Sequence, residues 1–155
     1  MGSSSYRDGF LIRAEGDDKV YRMFRNKKRW LRTKTPSEGA TIHVLPRSIV
    51  DVIPLNNLIR ADETTVYAIN DAGYKRAILS AEVFNAYGFR WDDVADTSEV
   101  ELATYPDSNL IQLFGSSEIY AIDGDTKRRV YDFSTVDLGA LHVVNEADFN
   151  AYAIQ

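Results

Sequence analysis

The sequence predicts a β-rich α+β fold made of three repeated units of about 50 residues each, a period that points to a repeat architecture. Three observations carry that expectation. The segments opening at Leu11-Ile12-Arg13, Leu58-Ile59-Arg60 and Leu110-Ile111-Gln112 run through Val20-Tyr21, Val66-Tyr67 and Ile119-Tyr120 to basic pairs at Lys28-Arg29, Lys75-Arg76 and Arg128-Arg129. Ser48, Ser98 and Asn145 each stand three residues before a carboxylate, Asp51, Glu101 and Asp148, which is the reciprocal pattern of a helix start. Pro54 and Pro106 lead into Leu58-Ile59 and Leu110-Ile111 at identical offsets, each through an Asn just before the Leu. The units are expected at about 11–57, 58–109 and 110–155, within one domain spanning 6–155. Met1 to Ser5 lack both a charged start and an apolar run and read as an expression scar.

Within a unit, two short apolar runs, a turn and a third run predict an antiparallel meander. Asp71-Ala72-Gly73 and Asp123-Gly124-Asp125 supply the turns, with Gly free to take positive φ and Asp able to bond its own backbone. A short helix should follow. Ser80 is placed to cap it, Val83, Phe84 and Tyr87 to cover the sheet, and Gly88 to end it. The matching helices are expected at Ser134 to Gly139 and at Thr35 to Gly39, where Pro36 takes the favoured first helical position. A second brief helix begins at each Ser or Asn box. One such unit buries too little to stand alone, so the three must share a core. Closure about a pseudo-threefold axis, propeller-like, is the expected arrangement, with a short open solenoid as the alternative.

Composition narrows the chemistry. At 155 residues, 45% apolar and 26% charged, the chain is neither disordered nor long enough in any apolar stretch to span a membrane as a helix. The absence of cysteine removes disulfides, thiol catalysis, thiolate zinc sites and iron-sulfur ligation. Charge is unevenly spread: residues 1–57 hold 11 Lys or Arg against 6 Asp or Glu, and the rest hold 7 against 17. No Gly-x-Ser-x-Gly elbow, phosphate-binding glycine loop or His-Glu-x-x-His pair is present. Asp123-Gly124-Asp125-Thr126 lacks the further ligands of a calcium loop. Asp92 and Asp93, read as neighbours on an extended segment, point apart and cannot converge on one substrate.

The candidate contact surface is the segment from Tyr21 to Lys34, in which seven cations alternate with three aromatics. Arg22, Arg25, Lys27, Lys28, Arg29, Trp30 and Arg32 could grip an anionic polymer by charge while the aromatic faces stack on sugars. The acidic remainder would repel a nucleic acid. The same opposition of charge could instead join copies head to tail as a self-assembly or protein partner surface. A more specific reading places His43, Asp93 and His142 together on a threefold axis as a metal site for an enzyme. No cofactor is expected.

The second unit adds a resemblance. Lys75-Arg76-Ala77-Ile78, Ser80-Ala81-Glu82-Val83-Phe84, Tyr87-Gly88-Phe89, Trp91-Asp92-Asp93-Val94 and Glu101 through Pro106 resemble a tandem repeat of bacterial secreted and cell-surface proteins. That repeat carries a Lys-Arg pair, a Pro-Ser-x-Glu-Val-Phe helix start and a Trp-Asp-Asp-Val segment. The match is close for the second unit, partial for the third, and weak after Arg29 in the first. The resemblance implies a noncatalytic module, binding or spacing at an extracellular or cell-surface location.

Overall fold

The computed structural model describes residues 7–32 and 41–155. The stretches 1–6 and 33–40, which contain the expected scar and the expected Thr35 to Gly39 helix, lie outside the described residues. The fold is β-rich, with three mixed sheets and few, short helices.

The first sheet contains β1 (Leu11–Ala14), β2 (Val20–Phe24), β3 (Lys27–Leu31) and β4 (Ile42–Leu45), followed by α1 (Arg47–Val50). The second contains β5 (Leu58–Arg60), β6 (Tyr67–Ile69), β7 (Lys75–Ala77) and β8 (Ala95–Asp96), with α2 (Ala81–Ala86) before β8 and α3 (Glu99–Ala103) after it. The third contains β9 (Leu110–Leu113), β10 (Ile119–Asp123), β11 (Thr126–Val130), β12 (Leu141–Val144) and β13 (Ala153–Ile154), with α4 (Glu146–Asn150) between the last two. The orders are β3-β2-β1-β4, β7-β6-β5-β8 and β12-β9-β10-β11-β13. In each sheet three strands form an antiparallel meander and a returning strand pairs parallel to the first. Alternation along these strands buries Ile12, Ile59 and Ile111 completely, at the centre of their sheets.

The helices follow local chemistry where the cap is right. Ser80 Oγ accepts from Val83 N at 3.2 Å and Gly88 ends α2 at φ +73°, as its lack of Cβ allows. Ser98 Oγ accepts from Glu101 N at 3.0 Å, and Asn145 Oδ1 from Asp148 N at 2.9 Å. The expected box at Ser48 does not form: α1 is preceded by Pro46, with no side-chain cap. The segment from Ser134 to Gly139 is not one helix but two 3-10 turns, Phe133–Thr135 and Leu138–Ala140, capped by Asp132 and Asp137. Two Asx caps five residues apart each stop the chain after a single turn. Trp91–Asp93 is likewise a 3-10 turn rather than extended chain, and Trp91 stacks on Phe84 at 4.2 Å between centroids.

Packing is sequential. Phe24 of the first sheet packs on the core around Ile59 of the second, and Ala151 of the third packs on the core around Leu58 and Phe84. Among the described residues no hydrogen bond or ion pair joins residues 7–57 to residues 110–155.

Candidate functional site

The basic pairs mark the site, because each side chain of a pair has a separate task. Lys28 Nζ donates to Val50 O at 2.5 Å, Lys75 Nζ to Tyr105 O at 2.5 Å, and Lys127 Nζ to Phe149 O at 2.8 Å and Tyr152 O at 2.5 Å. Each lysine therefore holds the carbonyls at the end of the short helix that follows its own sheet, where an ammonium complements unsatisfied acceptors. Burial pushes the Lys28 and Lys127 ammonium groups below their usual pKa.

The arginines cross to the next sheet. Arg29 donates to Glu101 at 3.0 Å and Arg22 to the same oxygen at 3.4 Å, tying the first sheet to α3 of the second. Arg76 makes a bidentate pair with Asp148, 2.9 and 2.6 Å, tying the second sheet to α4 of the third. Asp148 is wholly buried, and it also accepts from Tyr87 Oη at 2.5 Å. Burial and then the Asp148 bond hold the Tyr87 hydroxyl far above its usual range. Burial alone would raise the Glu101 carboxyl, but Arg29, Thr97 and Arg22 outweigh it and hold it below the ordinary value. Glu101 and Asp148, expected to cap their own helices, instead face the arginine of the preceding sheet.

A second contact accompanies each clasp. Asn56 Nδ2 donates to Asp93 O at 3.0 Å, and Ser108 Oγ donates to Ala140 O. Tyr105 Oη donates to Trp30 O at 2.6 Å, while Tyr152 Oη accepts from Arg76 at 3.0 Å.

Strand register revises one pairing. Arg29 lies opposite Arg22, Arg76 opposite Ala68, and Arg128 opposite Ala121, so Lys127-Arg128 rather than Arg128-Arg129 corresponds to the other two basic pairs. Arg129 instead pairs with Glu118 at 3.0 Å and lies over Tyr131.

The seven residues of the expected contact surface thus divide. Lys28 and Arg29 are buried, 7% and 2% exposed, and face inward. Arg22 is held by Glu101, Lys27 lies 3.7 Å from Asp93, and Arg32 donates to Ala72 O at 2.7 Å with its guanidinium over Trp30 and Tyr74. Trp30 also carries Lys19 over its ring. Among the described residues only Arg25 of the seven has no side-chain partner; it sits at the exposed tip of the β2-β3 hairpin, where Arg25 and Asn26 both take positive φ.

The metal reading does not survive the geometry. His43 stacks on Phe10 at 4.9 Å, Asp93 turns to Lys27, and His142 is buried with its Nε2 3.0 Å from Tyr74 O. In register, His43 and His142 pair with Ile12 and Ile111, and the corresponding partner of Ile59 is Ala95, not an aspartate. Among the described residues no three His, Asp or Glu side chains are grouped to hold a metal ion. Burial, then Arg76, depresses the His142 pKa to about 4.

Sequence reasoning found the basic pairs and the box carboxylates but not that they meet. Their spacing, 72 residues in both Arg29–Glu101 and Arg76–Asp148, was the available signal. Among the described residues no helix is long and apolar enough to cross a membrane. Comparison with protein-family models, with curated proteins and with solved structures finds no match.

Proposed function

We propose that the chain is a noncatalytic spacer and binding module made of three tandem units in an open row, of the kind its resemblance to bacterial secreted and cell-surface repeats implies. The observation that carries this reading is the repeated clasp: Arg29 reaches Glu101 and Arg76 reaches Asp148, always from one sheet to the helix of the next. A row joined in one direction sets a fixed distance per unit, which is what a spacer needs. Arg22, Lys27, Arg29 and Arg32, prominent in the sequence as a contact surface, are occupied in joining units.

Light scattering coupled to size exclusion, at low and high salt, tests the reading. A monomer of one mass and one radius at both salts supports it. Salt-sensitive oligomers would replace it with self-association through oppositely charged faces.

Contact with an anionic polymer or cell-wall glycan is a second reading, favoured by Arg25, exposed at the hairpin tip beside Lys27 and without a side-chain partner among the described residues. Arg25→Glu should weaken retention on a heparin or teichoic-acid column at low salt without changing the unfolding midpoint. Equal retention of variant and parent would remove this reading and leave the spacer untouched.

A further inference from the structure

We infer that the outer face of the third sheet is a docking face for a fourth sheet-and-helix unit, one whose short helix carries Asp or Glu opposite Arg128. The inference rests on the tandem reading above and deepens it by naming the partner.

Arg128 occupies the strand position of Arg29 and Arg76, yet those two are 2% and 5% exposed against a carboxylate while Arg128 is exposed and has no partner among the described residues. The edge beside it repeats the same incompleteness. Lys28 bridges to Leu55 and Lys75 to Asp107, both parallel, and β13 places Ile154 beside Lys127 in the same way. Asn56 N donates to Lys28 O, Ser108 N to Lys75 O and Gln155 N to Lys127 O, so Gln155 stands where Asn56 and Ser108 stand. Those two are buried, donating to Asp93 O and Ala140 O in 3-10 turns of the following unit; Gln155 is exposed. Tyr131 follows Val130 as Arg32 follows Leu31, and where Arg32 reaches Ala72 O of the second sheet, Tyr131 is 79% exposed. One cation and one amide thus present, unfilled, contacts that both inner junctions fill, and the exposed ring of Tyr131 stands where the first junction places Arg32; at the second junction that position is the exposed Leu79.

The charge of the face selects its occupant. A guanidinium that is buried on docking needs a carboxylate, since an uncompensated buried charge is strongly unfavourable. A second copy of this chain cannot supply one through its first sheet. Glu101 and Asp148 are the third residues after the caps Ser98 and Asn145, and the third residue after Pro46 is Ile49. The fitting partner is a unit with an acid at that position and a Tyr four residues later, as in Glu101 with Tyr105 and Asp148 with Tyr152.

The test fuses a copy of residues 109–155 after Gln155, so that Asn-Leu follows Gln155 as Asn57-Leu58 follows Asn56. Thermal unfolding is measured for the parent and the extended chain, each with and without Arg128→Ala. Arg128→Ala should leave the parent midpoint unchanged and lower that of the extended chain by about 5 °C. Asp→Asn at the added copy's equivalent of Asp148 should do the same, without adding to Arg128→Ala. Equal shifts in both chains, or none in either, would overturn the docking face. Hydrogen exchange supplies the second readout: an added copy whose amides exchange as fast as a free peptide, on a still-protected parent, also overturns it. The tandem reading fails separately, if Arg76→Ala leaves the parent midpoint unchanged.

Discussion

At the scale of single residues, the Arg76–Asp148 pair is the point of highest stake. Both side chains are buried, and among the described residues the Asp148 carboxylate accepts from Arg76 and Tyr87. Arg76→Ala would leave that carboxylate buried and uncompensated, and we expect a loss of about 3–5 kcal/mol in urea unfolding. Arg76→Lys should fall between variant and parent, because a point ammonium cannot reproduce the two parallel bonds. His142 lies beside this pair and adds a pH dependence. Its unfolded form takes up a proton near 6.5 and its folded form only near 4, so between those values the unfolded chain binds more protons and stability rises with pH. Acidification from pH 7 to pH 4 should therefore cost about 3 kcal/mol through this residue. Unfolding midpoints measured across that range should be flatter in His142→Gln. The remaining acid loss in that variant should lie lower, where Glu101 gives up stability as pH falls through its lowered folded value.

At the scale of elements, most of what the sequence reveals is what local chemistry decides. The meanders, α2 with Ser80 and Gly88, and the starts of α3 and α4 were legible because a cap and its helix lie within a few residues of each other. The register of α1 was not, because Ser48-x-x-Asp51 mimics a box while Pro46, two residues earlier, sets the helix start through its fixed φ. The turns at Phe133–Thr135 and Leu138–Ala140 were misread for a similar reason: Asp132 and Asp137 each bond a backbone N–H two residues on and divide what periodicity alone joins into one helix. Asn145→Ala would test how much a cap contributes here, with an expected loss of about 1 kcal/mol. Gly73 shows the opposite case, an element fixed by its neighbour. Its φ is +84°, and an added Cβ would meet Arg32 Cδ at 2.6 Å and Trp30 at 3.0 Å across the first junction. Gly73→Ala should destabilise by more than the cap variant, since it combines backbone strain with a clash at a packed contact.

At the scale of the whole molecule, part of the uneven charge of the chain is matched at the first junction. Arg22, Lys27 and Arg29 on the first sheet meet Glu101 and Asp93 on the second, so much of the basic hairpin is matched within the molecule. That pairing could not be read from the sequence, because charge runs are local and their partners lie in the next unit. It has a consequence for cooperativity. In the proposed open row, stability is a sum of units and junctions, and weakening one junction loosens the segment beyond it before the rest. Arg29→Ala weakens the first clasp, leaving only Arg22 of the first sheet on Glu101 among the described residues, but keeps Arg76–Asp148, Tyr87 and the core around Leu58 and Phe84 intact. Hydrogen exchange should then rise in residues 7–32 and 41–57 well before it rises in residues 110–155, whereas Arg76→Ala should release the third sheet first. A uniform rise over all three sheets in both variants would mean that they unfold as one block, and that the junctions are stronger than the units they join.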